Sequence, residues 1–259
     1  MKLGLVLSGG GARGIAHLGV IKALEEKGLT FDFISGTSAG AIVGSLYAQG
    51  YTPDEILKFT EDTSFIRHLR PALNLKGLIR MNGLSSMLAN YLPHDSFEGL
   101  KIPMTIAATN INRGKPEYFN SGKLIKAILA SACIPIIFNH ITIDGVDYVD
   151  GGITDNFPIG PIRDKCDKVI GSHTNFIGNE FHDFNMKSLL ERTMLIAISG
   201  NVYPKKELCD VFIDPPGLSN FTGFDLKKNR TIFQLGYDYT HTLFEENPSL
   251  ASDLVGSPD

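Results

Sequence analysis

Residues 31–47 constrain this chain more than any other stretch. Phe31-Asp32-Phe33-Ile34-Ser35 reads as a strand, Gly36-Thr37-Ser38-Ala39-Gly40 as a turn, and Ala41-Ile42-Val43-Gly44-Ser45-Leu46-Tyr47 as a helix. A G-x-S-x-G turn between strand and helix is the pattern of a nucleophile elbow, in which small neighbours let the backbone fold back and leave the serine at the tip. Such a turn aims Ser38 along the N-terminus of the following helix, whose dipole and free N–H groups favour a developing anion. The same pentapeptide would also serve as a plain glycine-rich loop with a bystander serine, so its meaning depends on what the rest of the chain brings to it.

A second strand–glycine–helix unit precedes it. Lys2 to Leu7 is an apolar run with strand character, followed by Ser8-Gly9-Gly10-Gly11-Ala12-Arg13-Gly14 and a helix from Ile15 to Lys27 closed by Gly28. Gly9 to Gly14 spells G-x-G-x-x-G, the dinucleotide-binding fingerprint, which would make the chain a non-hydrolytic nucleotide binder. That fingerprint also expects an acidic residue at the end of the second strand. Here Asp32 stands at its start, and the end holds the serine turn. The other use of the glycines is an oxyanion hole, since consecutive glycines leave backbone N–H groups uncovered at a helix start. Neighbouring parallel strands would put this loop beside Ser38. Arg13 either braces the loop or attracts an anionic head group. His17, one helical turn further on, reads as a packed structural histidine.

Thr52-Pro53-Asp54-Glu55 is a complete helix start. Between Thr63 and Leu100 the sequence is greasy but poorly periodic, with a helix expected from Leu84 to Tyr91; it reads either as loop packing or as a flap over an acyl-binding cleft. Pro103 to Asn110 and Glu117 to Phe119 read as strands, and Gly122 to Ala132 as a helix capped by Ser121. Thr142 to Val149 reads as a hairpin with an Asp144-Gly145 turn that delivers Asp150-Gly151-Gly152 to a loop. The acids Asp144, Asp147, Asp150 and Asp155 lack calcium-loop spacing, so no metal is expected. Lys168 to Thr174 and Val211 to Asp214 are further strands. Apolar stripes over Met186 to Ser199 and from Phe233 to Phe244 mark two late helices. Alternating strands and helices imply a mostly parallel sheet covered on both faces. With 259 residues and no linker or repeat, one domain is expected, its core spanning about 2–245. A net charge of −4 and a pI near 6.0 argue against a nucleic-acid partner. Three scattered cysteines, no signal-peptide pattern and no apolar span suggest a cytoplasmic protein.

A serine nucleophile requires a base. The order Ser…Asp…His would permit Asp150 with His173, His182 or His241, and a Ser38–Asp150 dyad is the alternative. Composition does not choose between them. The motifs in order resemble the patatin-like phospholipases. Gly9-Gly10-Gly11-Ala12-Arg13-Gly14 is similar to that family's oxyanion-hole motif, Gly36-Thr37-Ser38-Ala39-Gly40 to its nucleophile motif and Asp150-Gly151-Gly152 to its D-G-G/A motif. Ala130-Ser131-Ala132-Cys133-Ile134-Pro135 matches its A-S-x-x-x-P block and Asn156-Phe157-Pro158 its N-x-P extension. The resemblance implies a three-layer α/β/α sandwich, a Ser38–Asp150 dyad, no cofactor and hydrolysis of lipid acyl esters, with contact to a membrane surface possible for such substrates. An acyltransferase would use the same site with another acceptor. Oligomeric state is not readable from these features.

Overall fold

A computed structural model describes residues 1–61, 81–179, 181 and 185–255. The first apolar run forms β1 (Leu3–Leu7), buried along its whole length because both of its faces are covered. Leu3, Leu5 and Leu7 enter one apolar cluster, whereas Val6 enters a second with Phe157, Ile162, Val169 and Val202. The two clusters lie on opposite faces of the sheet, which gives a three-layer α/β/α arrangement.

After β1 the chain makes a 3-10 turn over Gly11–Ile15 and then α1 (Ala16–Glu26), so the regular helix starts later than the glycines suggest. Gly28 follows with φ 79°, the left-handed conformation expected of a helix-closing glycine. β2 (Phe33–Thr37) leads into α2 (Ala39–Gln49), and α3 (Pro53–Glu61) opens on a reciprocal capping box. There Thr52 N–H donates to Glu55 Oε2 at 2.8 Å and Glu55 N–H to Thr52 Oγ1 at 3.3 Å. Residues 62–80, which carry about half of the expected flap, lie outside the described residues, as do His68 and His182. The expected helix beyond them is α4 (Asn82–Tyr91).

β3 (Met104–Asn110) is followed by β4 (Lys115–Phe119), α5 (Leu124–Ala132) and the hairpin β5 (Ile141–Ile143) and β6 (Val146–Asp150). Its turn residues Asp144 and Gly145 have φ of 48° and 79°, the left-handed pair that a two-residue D-G hairpin requires. Ser121 does not cap α5. The cap comes from Asp95, whose Oδ1 accepts the Ile125 N–H at 2.8 Å; a side chain distant in sequence replaces the local one. Short helices α6 (Gly152–Asp155) and α7 (Gly160–Arg163) lead to β7 (Lys168–Ser172). Then come α8 (Met186–Ser199), β8 (Val211–Ile213), α9 (Asn229–Glu246) and α10 (Ser249–Val255).

Among the described residues one sheet runs β5-β6-β3-β2-β1-β7-β8, with β4 also paired to β3. β3, β2, β1, β7 and β8 are mutually parallel, and β4, β5 and β6 form an antiparallel margin. The stripe on α9 docks on α1 at a glycine crossing. A Cβ on Gly19 would lie 2.0 Å from Phe233 O, and one on Gly236 would lie 2.2 Å from Ala16 O, so both positions admit only hydrogen.

Candidate active site

The strand register brings three loops together. Leu7 pairs with Gly36 and Thr37 with Ala107, so the glycine loop after β1 and the serine turn after β2 leave the sheet side by side. β6 runs the other way along β3 and ends with Asp150 opposite Ala108, one position beyond the partner of Thr37. β4 fills the other edge of β3 over Ile106–Asn110, so β6 meets β2 end to end along one edge and Asp150 arrives at the level of Ser38.

Ser38 adopts φ 53° and ψ −117°, a conformation that non-glycine residues reach only when the surroundings enforce it. The enforcement is visible. Ser38 N–H donates to Ser131 Oγ at 2.8 Å, and Ser131 Oγ donates to Ala107 O at 2.6 Å. Gly36 and Gly40 meet backbone so closely that a Cβ on either would lie 2.6 Å from Gly40 O or 2.3 Å from Leu7 O, respectively. The serine of the A-S-x-x-x-P block thus pins the turn.

Ser38 Oγ donates to Asp150 Oδ2 at 2.7 Å, and the other carboxylate oxygen accepts Gly152 N–H at 2.8 Å. Burial pushes the Asp150 carboxyl up to about 6, against the opposing pull of the Ser38 and Gly152 hydrogen bonds. Gly151 is obligatory where the chain turns, because a Cβ there would lie 2.2 Å from Ala107 O. Beyond it, Asp155 takes Tyr118 Oη at 2.7 Å and Lys205 Nζ at 2.5 Å, which holds α6 in place. Asn201 Oδ1 accepts the Asn156 N–H at 2.8 Å, and Asn201 Nδ2 donates to Gly152 O at 3.1 Å.

In the glycine loop the amides are unequally free. Gly9 N–H donates to Asn156 O at 3.3 Å, Ala12 N–H to Gly223 O at 2.8 Å and Arg13 N–H to Gly10 O at 3.2 Å. The amides of Gly10 and Gly11 have no acceptor among the described residues. Both residues line a cavity of about 260 Å³ together with Ser38 and Asp150. Gly14 sits where a Cβ would come within 2.4 Å of Ala39 Cβ, which allows the loop to press against the start of α2. Arg13 is a brace: buried, it reaches Phe221 O and Glu191 Oε1, each at 3.4 Å. Glu191 Oε1 also accepts Gly223 N–H at 2.7 Å.

Asn156, Asn175, Arg13 and Glu191 also line the cavity, and the rest of the wall is mostly apolar, with Ile134, Ile137, Met194, Leu195 and Ile198 inside and Ile136, Ile153, Leu190 and Phe224 at its mouth. These last four are 70, 47, 45 and 48 % exposed. The stripe read on α8 therefore faces the cavity and its mouth rather than the core; Met186 is 82 % exposed.

Among the described residues, no histidine lines the cavity. His173 is buried on Asp214 (Nδ1 to Oδ1, 2.9 Å), and His241 lies on α9 beside Glu245 at 3.4 Å. His17 packs as a neutral ring between Ser172 Oγ and Ser8 O, both at 2.8 Å, and burial lowers its pKa to about 4. Asp32 accepts Leu3 N–H at 2.8 Å, at the strand ends opposite the glycine loop, where no ribose bound to that loop could meet it. Sequence reasoning missed Asn175, Glu191, Asn201 and Gly223, which lie outside every motif.

The chain is similar to known proteins along most of its length. It is 37% identical over 164 residues to an uncharacterized NTE family protein of Mycobacterium tuberculosis, covering 62% of this chain and 45% of that protein. It is 29% identical over 284 residues to lysophospholipase NTE1 of Kluyveromyces lactis, covering 94% of this chain and 19% of that protein. The chain thus spans less than half the length of these relatives. Its fold matches the crystal structure of VipD from Legionella pneumophila with a TM-score of 0.61 at 17% identity, over 95% of this chain and 67% of that one. The family profile named patatin-like phospholipase matches residues 5–162, a segment that holds the glycine loop, the serine turn and the Asp150 loop. On that match, the chain belongs to the patatin-like phospholipase family.

Proposed function

We propose that this chain is a serine lipid acyl hydrolase of the phospholipase A, lysophospholipase or esterase type, with its catalytic unit spanning about 2–245. The observation that carries this reading is the 2.7 Å hydrogen bond from Ser38 Oγ to the buried Asp150 carboxylate, at the floor of an apolar cavity. Asp150 takes the Ser38 proton as Oγ attacks the ester carbonyl. The tetrahedral oxyanion is received by the unoccupied amides of Gly10 and Gly11. Collapse expels the alcohol, which leaves with the proton held on Asp150, and the acyl group stays on Ser38. Water, deprotonated by Asp150, then attacks the acyl-serine; the fatty acid departs and Oγ recovers its proton.

A carboxyl raised to about 6 suits this work, being a stronger base than an ordinary aspartate yet ionised at neutral pH. The apolar walls suit an acyl chain, and the exposed apolar mouth suits contact with the surface of a lipid aggregate or membrane. No helix among the described residues is long and apolar enough to cross a membrane. A relative named lysophospholipase makes lysophospholipids the first substrates to try.

The test is a panel of p-nitrophenyl esters, lysophospholipids and phospholipids, with Ser38→Ala beside the wild type. The variant is expected to fold normally and to lose on the order of 10⁴-fold or more in kcat. Retention of a tenth of wild-type activity would remove Ser38 from the nucleophile's role.

A further inference from the structure

Three consecutive glycines leave the oxyanion-binding loop free to rotate its peptide planes. A flip of the Gly9–Gly10 peptide would exchange the Gly10 N–H for the Gly9 carbonyl and present an acceptor, instead of a donor, to a developing negative charge. Something must hold that plane. Asn175, three residues beyond the end of β7 and 2 % exposed, donates from Nδ2 to Gly9 O at 2.6 Å. Gly9 O also lies 3.0 Å from Ser8 Oγ, 3.4 Å from Thr174 Oγ1 and 3.5 Å from Asn156 Nδ2, so the Asn175 bond is the shortest of four.

In a planar trans peptide the N–H points opposite to the C=O. With Gly9 O drawn toward Asn175, the Gly10 N–H is turned the other way; it meets no acceptor among the described residues, and Gly9, Gly10 and Asn175 all line the cavity with Ser38. The next plane is held in the same manner by the Arg13 N–H on Gly10 O, which turns the Gly11 N–H. Asn175 Oδ1 is buried without a partner, so the Gly9 bond is the one polar contact its amide makes among the described residues. Leaving an amide oxygen unsatisfied costs stability, and a residue kept at that cost points to its other end.

We infer that Asn175 is a positioning residue that orients the Gly10 amide toward the oxyanion; the inference rests on the hydrolase reading above. It predicts a defect confined to the transition state. Asn175→Ala should lower kcat by roughly 10- to 100-fold, somewhat less than loss of an oxyanion donor itself, with KM within about twofold. Asn175→Asp, of equal shape but with an acceptor facing Gly9 O, should fall at least as far. Asn175→Ser, smaller and still polar, serves if the alanine variant does not fold.

The decisive readout is inhibition by an alkyl trifluoromethyl ketone, which forms a hemiketal oxyanion on a serine, beside inhibition by a free fatty acid, which does not. Across the variants the ketone's Ki should rise by the factor that kcat falls, while the fatty acid's Ki stays put, with rates normalised to the fraction that takes a fluorophosphonate label. An Asn175→Asp enzyme with kcat within twofold of wild type would overturn the inference, as would a fall in kcat with ketone affinity unchanged. Wild-type protein that neither cleaves esters nor labels would instead overturn the hydrolase reading itself.

Discussion

Replacing Asp150 by asparagine should make the protein more stable as it makes it inactive, and the two effects should have different pH dependences. The carboxylate is buried, and its pKa is raised to about 6 from the ordinary aspartate value. The native state therefore binds this proton more tightly than the unfolded chain does. As pH rises from about 4 to about 6 the native state loses stability on this account, and above that the full penalty applies. That rise amounts to roughly 3 kcal/mol. Asparagine carries no charge, still offers an oxygen to Gly152 N–H, and turns its amide group to Ser38 Oγ. Asp150→Asn should thus exceed the wild type in unfolding free energy by up to about 3 kcal/mol at pH 7 to 8, and the gap should close near pH 4. His17 pulls the wild type the other way. Its folded pKa of about 4 lies below the ordinary histidine value, so stability is lost as pH falls from about 6.5 toward 4. Being present in both proteins, His17 drops out of the difference. The measurement is urea unfolding of both proteins at pH 8, 7, 5 and 4, with kcat/KM followed in parallel. Wild-type activity should fall tenfold per pH unit below about 6, and the variant should lose at least about 10²-fold at pH 7. A variant less stable than wild type at pH 8, a gap independent of pH, or an activity limb near pH 4 would refute the reasoning.

Two further outcomes concern the histidines and the mouth of the cavity. His241→Ala and His173→Asn should each keep kcat within roughly tenfold, although the second takes the buried His173 ring off half-buried Asp214 and should melt lower; a collapse in kcat comparable to Ser38→Ala in either would restore a triad. Ile136 holds φ 74°, which a β-branched residue adopts only under strain, and it is 70 % exposed at the mouth. Ile136→Asn should gain about 1 kcal/mol of stability while losing several-fold more activity on lipid vesicles than on a soluble ester, and equal losses on both would dismiss the mouth as a lipid-facing surface.

Backbone geometry with a local cause was legible in the sequence. A serine between glycines at a strand end, a run of glycines before a helix and an aspartate before paired glycines each carry a local reason for their residues. The hairpin turn at Asp144-Gly145 and the capping box at Thr52 were readable for the same reason. What could not be read are side chains whose meaning comes from distant partners. Asn175, Glu191 and Asn201 are ordinary polar residues in the sequence, and only the packing of β7 and α8 against the glycine and Asp150 loops gives them work. Asp95 displaced Ser121 as the cap of α5 in the same way, through a contact no local pattern encodes. The stripe on α8 was legible in period, but its destination was not, because periodicity reports that one face is apolar and not what that face meets.

The fastening of Ala12 to Gly223 has a consequence for the order in which the candidate site assembles during synthesis. Ser38 and Asp150 are 112 positions apart, while Gly9 and Asn175 are 166 apart, and Gly223 comes later still. A chain emerging from its N-terminus holds its hydroxyl and carboxylate long before the groups that turn the glycine amides. Closing such long loops is entropically slow to be repaid and delays the contacts that depend on them. The nascent chain thus passes through a stage that holds every recognisable motif without the contacts that fix the glycine loop, which form only when residues 173–223 have packed onto residues 8–15.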